Sequence, residues 1–404
     1  MIKTIPFSPP DISQLEIDEV VDTLKSGWIT TGPKTKKLEN EIANYCQVEK
    51  AVCLNSATAG LELSLRLLDI GEGDEVITTP YTYAATANVI LHVGAKPVFV
   101  DIKKDEFNID PTKISEAITS KTKAIIPVDF AGWPVDYDEI KDVLENKKHL
   151  YSPKSGTWQK SFDRPIIIAD SAHAFGATYK NKKIGSIADF TCFSFHAVKN
   201  LTTAEGGAVT FNSFPNLTSD EIYKKFMLLS LHGQSKDALS KTQAGSWQYT
   251  IEIPGFKCNM TDIMASLGLA QLKRYETELI PKRKTIFEIY KNELKKNPKL
   301  ILPPFVSETK TGSFHIYPIR IINIKEKERN EIIQKLAKNG ISVNVHFIPV
   351  VMHPAYTKLG YNINNFPNTY NMYQNEISLP VYSKLSEDDA LYIGKTLIKI
   401  IDQI

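Results

Sequence analysis

A single lysine, Lys199, stands in the segment FSFHAVKNLTTAEGG, where an apolar run gives way to hydroxyl-bearing and small residues. Residues 190–193 predict a strand, and Ser194 follows that strand five positions before the lysine. A lysine placed after a strand can serve as an amine nucleophile and as a base for proton transfer. A solvated lysine in a surface loop is the commoner situation, so other residues of the chain must decide between the two.

Three further polar signals follow predicted strands. The segment NSATAG (55–60) has small residues ahead of a helix, whose N-terminal N–H groups can bind a phosphate. Asp170 ends the apolar run IIIAD, where a carboxylate either caps the next segment or pairs with a protonated ring nitrogen. Tyr83 either stacks on a planar ring or is a core aromatic. With Lys199, these groups match the needs of pyridoxal 5'-phosphate (PLP): a lysine, an acid, a phosphate site and an aromatic wall.

Alternating strand and helix signals predict the frame that positions these groups. The first helix begins at a capping box, Ser13 to Glu16, and ends at Gly27. The later strands are apolar throughout, which is typical of a mostly parallel sheet covered on both faces. Ligands of such sheets bind at the carboxyl ends of the strands. Strands are predicted at 51–54, 75–78, 96–101, 123–128 and 165–170, and helices at 58–68, 84–92 and 136–144.

A polar stretch rich in Gly and Ser, near residues 230–260, marks a change of organisation. After it, helices are predicted at 261–276, 282–295, 325–339 and 386–401, and strands at 313–321 and 341–346. This pattern indicates a smaller α+β unit. We therefore predict an α/β fold with a large domain over residues 1–255 and a small C-terminal domain over residues 256–404.

Composition excludes several classes of protein. The chain has 404 residues, with 42% hydrophobic and 23% charged residues and a formal net charge of +2, so nothing indicates a nucleic-acid or membrane partner. The N-terminus lacks an apolar signal segment, and no run is long enough to span a bilayer. The cysteines lie far apart, which argues against a metal site and a disulfide framework and favours the cytoplasm: Cys46, Cys53, Cys192 and Cys258.

Residues 146–164, NKKHLYSPKSGTWQKSFDR, form an unusual insertion between a predicted helix and a predicted strand. The segment is basic and interleaved with aromatic residues. Two interpretations stay open for it: a solvated insertion loop, or a segment that binds substrate.

Over nearly its whole length the chain resembles the DegT-type (DegT/DnrJ/EryC/StrS) nucleotide-sugar aminotransferases. The segment around Lys199 is very specific for this family, and its combination with DSAHA upstream is more specific still. The sequence most resembles the branch of the family that makes 4-amino sugars such as aminoarabinose. The resemblance implies a PLP-dependent fold of type I, with a mostly parallel large-domain sheet and a smaller α+β C-terminal domain. The resemblance rests on these segments of the chain: SGWITTGPKTKKLE, NSATAGLEL, TPYTYAATAN, ADSAHAFGA, FSFHAVKNLTTAEGGAV, PGFKCNMTDIMASLGLAQL and VNVHFIPV…SLPVYSKLS.

The resemblance also implies roles for individual residues. Lys199 is the lysine that binds PLP as a Schiff base, and Asp170 pairs with the pyridine nitrogen, so both are catalytic. Asn259 reaches the phosphate of the neighbouring subunit, which implies a homodimer with a shared active site. The other implied cofactor contacts are Thr58, the backbone N–H of Ala59, Tyr83, His173 and Ser194. Substrate contacts are predicted for Trp28, Thr31, His315, Tyr317 and His346.

The implied activity is transfer of an amino group from glutamate to a keto group, preferably at C4, of a nucleotide-linked deoxy-sugar. Such a reaction serves amino-sugar and polysaccharide or glycan biosynthesis. The chain departs from the family pattern at two positions. Asp129 follows Pro127-Val128 where the family often has a histidine, and Ala57 replaces a glycine common in the phosphate site. Alanine is tolerated at the second position unless the backbone there needs a positive φ.

Three alternatives remain at this level. A PLP-dependent sugar dehydratase of the same fold carries a histidine in place of the lysine, so Lys199 stands against it. A non-catalytic sugar-binding or regulatory relative does not need the intact lysine, aspartate and phosphate site. An aminotransferase that acts on amino acids alone often has an arginine clamp for the α-carboxylate, and Arg320 is the plausible clamp in the small domain.

Overall fold

The computed structural model of the chain describes residues 3–235 and 248–403, so part of the polar stretch noted in the sequence, 236–247, lies outside the described residues. The strands are β1 (Lys50–Leu54), β2 (Glu75–Thr78), β3 (Lys96–Phe99), β4 (Thr122–Ile126), β5 (Ile166–Asp170), β6 (Thr178–Tyr179), β7 (Lys182–Lys183), β8 (Phe190–Ser194), β9 (Gly207–Phe211), β10 (Leu300–Ile301), β11 (Lys310–Thr311), β12 (Tyr317–Ile321) and β13 (Glu376–Leu379). The α-helices are α1 (Gln14–Ser26), α2 (Pro33–Cys46), α3 (Ala57–Leu67), α4 (Ala84–His92), α5 (Pro111–Ala117), α6 (Tyr137–Lys147), α7 (Ser219–Ser230), α8 (Asp262–Arg274), α9 (Ile280–Leu294), α10 (Glu326–Lys338), α11 (Pro354–Thr357), α12 (Pro367–Gln374) and α13 (Glu387–Ile401).

Seven strands form the main sheet, in the order β1-β9-β8-β5-β4-β2-β3. The five strands from β8 to β3 pair in parallel, which confirms the mostly parallel sheet. Strand β9 runs antiparallel to both of its neighbours, β8 and β1. It follows β8 in the chain and returns beside it, so the connection between them, which carries Lys199, lies at the carboxyl end of β8.

Both faces of the main sheet are buried, and the side chains of single strands show why. In β5, Ile167 and Ala169 belong to one hydrophobic cluster, whereas Ile166 and Ile168 belong to a second cluster on the other face. Successive side chains of a strand point to opposite faces. A strand covered on both sides therefore needs the continuous apolar run that the sequence shows.

The first helix confirms the capping signal in the sequence. The Ser13 side chain and the Glu16 side chain close the first turn of α1, and Gly27 ends the helix with φ of 74°. Helix α8 stops at Arg274, and a π-helical turn over 275–279 leads directly into α9. The two predicted helices in this region are thus one nearly continuous run.

A second, three-stranded sheet, β10-β12-β13, forms the centre of the small domain. Helices α9, α10 and α13 contribute to a hydrophobic cluster with this sheet. The strand predicted at 341–346 is wrong, because Ile341 and Asn344 make only single bridges, to Ile5 and Ser378.

The predicted domain division at 255/256 stays a prediction, but the packing favours a later position. Residues of α8 and of the π-helical turn, Leu269, Tyr275 and Leu279 among them, belong to a core cluster of the main sheet. The small-domain cluster takes up the chain from Ile286 onward. We place the change of domain near residue 280 for this reason.

The 146–164 insertion packs on the outside of the main sheet. Phe162 belongs to one of the two core clusters of the sheet, and the buried Gln159 donates its Nε2 to the Leu68 carbonyl at 2.9 Å. Arg164 makes two hydrogen bonds with Asp189, at 2.8 and 2.9 Å. These contacts show that part of the insertion is packed against the fold rather than solvated, and its residues do not line the cavity at the carboxyl ends of β5 and β8. Within the described ranges, no helix combines the length and apolar character needed to cross a membrane.

Candidate active site

A cavity of about 350 Å³ lies at the carboxyl ends of β5 and β8, beside the first turns of α3 and α4. It is where the doubly wound architecture predicts a ligand site. We call it the cofactor cavity. Eight of the residues predicted from the sequence line it: Thr58, Tyr83, Asp170, His173, Ser194, Lys199, His315 and His346.

Asp170 is buried at the end of β5, and two hydrogen bonds fix its carboxylate. Thr86 Oγ1 donates to Oδ2 at 2.6 Å, and the Ala172 N–H donates to Oδ1 at 3.2 Å. Burial raises the pKa of Asp170, while these two donors oppose the shift. A carboxylate held in this way is costly to ionise alone and is stabilised by a cationic partner.

Lys199 lies in the connection between β8 and β9, where its backbone N–H donates to the His196 carbonyl at 2.9 Å. Burial of the amine lowers the pKa of Lys199 to about 8, and the nearby Asp170 carboxylate opposes that shift. Near physiological pH a minority of such an amine is neutral, but this share is far larger than for an ordinary lysine with a pKa of about 10.4. The amine therefore suits a nucleophile or a base, unlike a solvated lysine.

The first turn of α3 forms the phosphate side of the cavity. Ser56 caps the helix, and its Oγ accepts the Ala59 N–H at 3.1 Å. The contact of that amide with the phosphate stays a prediction. Ala57 and Thr58 line the cavity. Ala57 has no positive φ, so alanine in place of glycine introduces no strain there. Gly207 lets the first turn of α3 pack closely against β9, because a Cβ at this position would lie only 2.5 Å from the Ala57 nitrogen.

Three imidazoles crowd one side of the cofactor cavity. The rings of His173 and His315 lie 4.4 Å apart between centroids, and His315 Nδ1 lies 2.8 Å from Asn200 Oδ1. His346 Nδ1 lies 2.9 Å from Ser378 Oγ. Burial lowers the pKa of all three, in the case of His346 to about 3. They are therefore neutral hydrogen-bonding groups, and His173 Nδ1 is buried without a partner among the described residues.

Four predicted residues lie away from the cofactor cavity. Tyr317 faces the small-domain core, 4.9 Å from the Phe287 ring, because side chains alternate along β12. The other three form a separate group. Trp28 Nε1 donates to the Thr31 carbonyl at 3.2 Å, and Asn259 Nδ2 donates to Thr31 Oγ1 at 2.5 Å. Their contacts with substrate or with a neighbouring subunit stay predictions.

Asp129, the departure from the family pattern, does not line the cavity. It is buried, and its carboxylate accepts hydrogen bonds from the Val135 N–H, Tyr137 Oη and Ser171 Oγ at 2.9, 2.7 and 2.6 Å. Burial raises the pKa of Asp129 to about 6 against these donors. The residue supports the turn after β4 and the residue next to Asp170.

Several cavity residues had no signal in the sequence. Ile5 pairs with Ile341 of the small domain, and the chain then crosses to the cavity. There Phe7 stacks on His346 with centroids 5.6 Å apart, and Ser8 Oγ donates to the Val198 carbonyl at 3.1 Å. No local sequence pattern predicts that the N-terminal segment passes from the small domain to the cofactor cavity. Thr86, by contrast, follows Tyr83 by one helical turn, so its place beside Asp170 was accessible from the sequence.

The residues fit PLP by the chemistry of their donors and acceptors. Asp170 would hold the pyridine nitrogen, Lys199 would bind the aldehyde carbon, and the N-terminus of α3 with Ser194 would hold the phosphate. Tyr83 is 65% exposed at the cavity mouth, where a planar ring would cover it.

Comparison with known proteins agrees with this site. A family model described as the DegT/DnrJ/EryC1/StrS aminotransferase family matches residues 10–398. The spore coat polysaccharide biosynthesis protein SpsC of Bacillus subtilis is 42% identical, with 95% of this chain and 94% of that protein covered. The UDP-4-amino-4,6-dideoxy-N-acetyl-beta-L-altrosamine transaminase of Campylobacter jejuni is 34% identical, with 98% of each chain covered.

A solved structure gives the same result. The putative sugar aminotransferase Spr1654 of Streptococcus pneumoniae, in its PMP form, superposes with a TM-score of 0.96 at 52% identity, covering 99% of each chain. Its PLP form is equally similar, with a TM-score of 0.95. The chain therefore belongs to the DegT/DnrJ/EryC1/StrS aminotransferase family and is a PLP-dependent sugar aminotransferase.

Proposed function

We propose that this enzyme moves an amino group from glutamate to the C4 keto group of a nucleotide-linked deoxy-sugar. The observation that carries the proposal is that one cavity contains both the buried amine of Lys199 and the buried carboxylate of Asp170, beside three imidazoles. The nucleotide linkage is supported by the Campylobacter relative, whose name specifies a UDP-sugar.

Each group has a role that follows from its position. PLP, when bound, supplies the ring that accepts the electron pair of the substrate carbon. Asp170 keeps the ring nitrogen protonated, since its buried carboxylate needs a cationic partner. Lys199, in its neutral form, would take the proton from the amino-bearing carbon and deliver it to the former aldehyde carbon of the cofactor, on the other side of the amino nitrogen. The dehydratase alternative lacks support, because it needs no amine at this position.

The polar character of the cavity supports a sugar acceptor over an amino acid alone. Its imidazoles, His173, His315 and His346, are neutral donors and acceptors that match sugar hydroxyls. Among the described residues the cavity lining contains no arginine. Arg320, the clamp considered from the sequence, lines a different cavity.

A two-stage assay tests this function. We expect glutamate alone to convert the PLP form of the protein to the PMP form, seen as loss of the visible absorption band. A UDP-linked 4-keto-6-deoxy sugar should then restore the band and yield the 4-amino product. The matched 3-keto sugar and glutamine are the controls for C4 and for the donor. A protein that responds to glutamate but to no nucleotide-linked keto-sugar in the panel contradicts the proposed acceptor.

The pKa of Lys199 gives a pH prediction for the protein without cofactor. Because burial lowers that pKa to about 8, the neutral amine should dominate above pH 8. We expect the rate of covalent attachment of PLP to rise with pH, with a midpoint near 8, followed by absorbance after mixing. A midpoint near the ordinary lysine value of about 10.4 contradicts the buried environment.

We also propose that the enzyme is a homodimer and that Asn259 reaches the neighbouring cofactor site. Within its own chain Asn259 pairs with Leu54 of β1 as a single bridge and does not line the cofactor cavity. A contact with PLP phosphate thus needs a second copy. Sedimentation equilibrium measures the state directly, and a stable monomer with full activity contradicts both parts.

A further inference from the structure

A second cavity, of about 430 Å³, lies where the small domain meets the loops that follow β3 and β4. We call it the Arg320 cavity. Its volume is within the range of small-molecule sites, about 300–1,000 Å³. Among the described residues Ile316 is the one that lines both this cavity and the cofactor cavity, so the two are neighbours with a thin shared wall.

Arg320 projects from β12 into this cavity, and its guanidinium is poorly matched. The side chain is only 5% exposed. Within the described part of the chain, its hydrogen bonds are to Asp105 Oδ1, at 3.4 and 3.5 Å. Both distances lie beyond the usual 2.7–3.2 Å range, and the Asp105 side chain is 58% exposed. Five donors of a buried arginine normally have better acceptors, so this one is prepared to bind a further anion.

The other buried cation of the cavity is already neutralised. Lys310 Nζ lies 2.7 Å from Asp136 Oδ1 and 5.5 Å from the centre of the Trp133 ring. Of the two buried cations, Arg320 is therefore the one without a close carboxylate partner among the described residues. Two buried cations at the same junction thus differ: Lys310 has a carboxylate within 2.7 Å, whereas Arg320 of β12 has none closer than 3.4 Å in the part of the chain that the structure describes.

Aromatic and aliphatic side chains form much of the remaining wall, which also carries the polar side chains of Glu106 and Asn108. Phe107 packs on Phe130 with ring centroids 4.5 Å apart, and Trp133 and Phe305 add further aromatic surface. Planar rings stack well on such surfaces. A ligand for this cavity thus combines a flat, largely apolar body with one anionic group.

Strained backbone is concentrated around the same cavity. Three of its lining residues other than glycine have a positive φ: Asp105 at 62°, Ala131 at 57° and Phe314 at 58°. This conformation is uncommon for any residue with a side chain, and for a bulky one such as Phe314 it is an outlier. Such strain tends to cluster at ligand sites and switch regions.

We propose that the Arg320 cavity binds a small organic anion with a planar ring, whose anionic group pairs with Arg320 while the ring lies among Phe107, Trp133 and Phe305. Such a ligand touches both domains at once. It also rests against Phe130 and Ile316, and Phe130 in turn lies 6.5 Å from His173 of the cofactor cavity.

Titration calorimetry on the PLP-loaded enzyme tests the proposal with two probes. 3-Phenylpropionate carries the anion as a carboxylate, and phenyl phosphate carries it as a phosphate without a nucleoside that the sugar-nucleotide site could bind, so the pair separates the two sources of this chemistry. We expect one site per chain for at least one probe. Arg320→Met should weaken its binding about tenfold or more, the loss expected for a charge-assisted pair. Arg66→Met, at an arginine outside the cavity, should leave it unchanged.

Thermal melting separates a binding defect from a folding defect. Because Arg320 is buried with long contacts only, Arg320→Met should melt no lower than the parent enzyme, and the binding probe should raise the melting temperature of the parent but not of the variant. Binding that survives Arg320→Met overturns the proposal, as does the absence of saturable binding of both probes at millimolar concentration to a folded parent enzyme.

Discussion

Replacing Lys199 with alanine should lower the rate of amino transfer by about 10⁴-fold, the upper end of what a positioned acid–base group contributes. The buried amine has a pKa near 8 and lies in one cavity with Asp170. Alanine removes the group that carries the proton but keeps the phosphate side of the site. The variant should therefore still bind PLP, though without a covalent bond.

Stopped-flow absorbance after glutamate addition measures this effect, with dialysis to show that the cofactor is no longer retained covalently. Lys123→Ala is a matched control, since Lys123 is also a buried lysine whose pKa burial lowers, but its Nζ donates to the Ser120 carbonyl at the opposite end of β4. Added methylamine should restore part of the Lys199→Ala rate. A Lys199→Ala enzyme that keeps its rate within tenfold of the parent contradicts the assigned role.

The elements of this fold were predictable where one local pattern decides. The apolar runs of β2 and β5 and the capping box of α1 each have one stable interpretation, and the structure places them at nearly the predicted residues. Lys199 and Asp170 were accessible for a related reason, because the ends of parallel strands meet at one edge. Lys199 and Asp170 lie close together because of the sheet topology, and the residues beside each of them in the sequence do not predict this.

The rest depends on contacts between distant parts of the chain. Ile341 looks like the start of a strand by composition, yet its single partner is Ile5, more than three hundred positions away. Tyr317 was predicted as a substrate contact on the same small-domain strand as His315, but it lies in the small-domain core, whereas His315 lines the cofactor cavity. A shift of one residue reverses the face of a side chain, and no sequence pattern fixes the register of β12 here.

Asp129 and Asp170 show how far two similar carboxylates can differ. Both are buried beside the same strand ends, and burial raises the pKa of both. Asp129 has three protein donors, from Val135, Tyr137 and Ser171, and is turned away from the cavity. Asp170 has two and lines the cofactor cavity. The family resemblance separated these roles, whereas the local sequence around each aspartate does not, because hydrogen-bond partners decide them.

Asp170→Asn should lower the rate of amino transfer by about 10²–10³-fold, the range for removing one preorganised electrostatic contact. The amide keeps the volume and the hydrogen bond to Thr86, but it cannot hold a protonated ring nitrogen. Ser194→Ala, which removes a predicted phosphate contact, should lower the rate far less. Rates are compared at saturating PLP, so that weaker cofactor binding does not enter. A decrease of less than tenfold in Asp170→Asn contradicts the ring-nitrogen assignment.

Asp170→Asn should slow amino transfer but stabilise the protein without cofactor. Measuring stability as well as rate therefore distinguishes loss of the ring-nitrogen contact from damage to the fold. A carboxyl group whose pKa is raised in the folded state binds more protons there than in the unfolded chain, so its contribution to stability falls as pH rises. Burial raises the pKa of Asp170. Cofactor-free parent enzyme should therefore lose stability relative to Asp170→Asn as pH increases from about 4, the ordinary aspartate value. Melting temperatures across that range measure the difference. With PLP bound the order should reverse, because the ionised carboxylate then has its cationic partner, and failure to reverse would mean that Asp170 and the ring nitrogen do not meet.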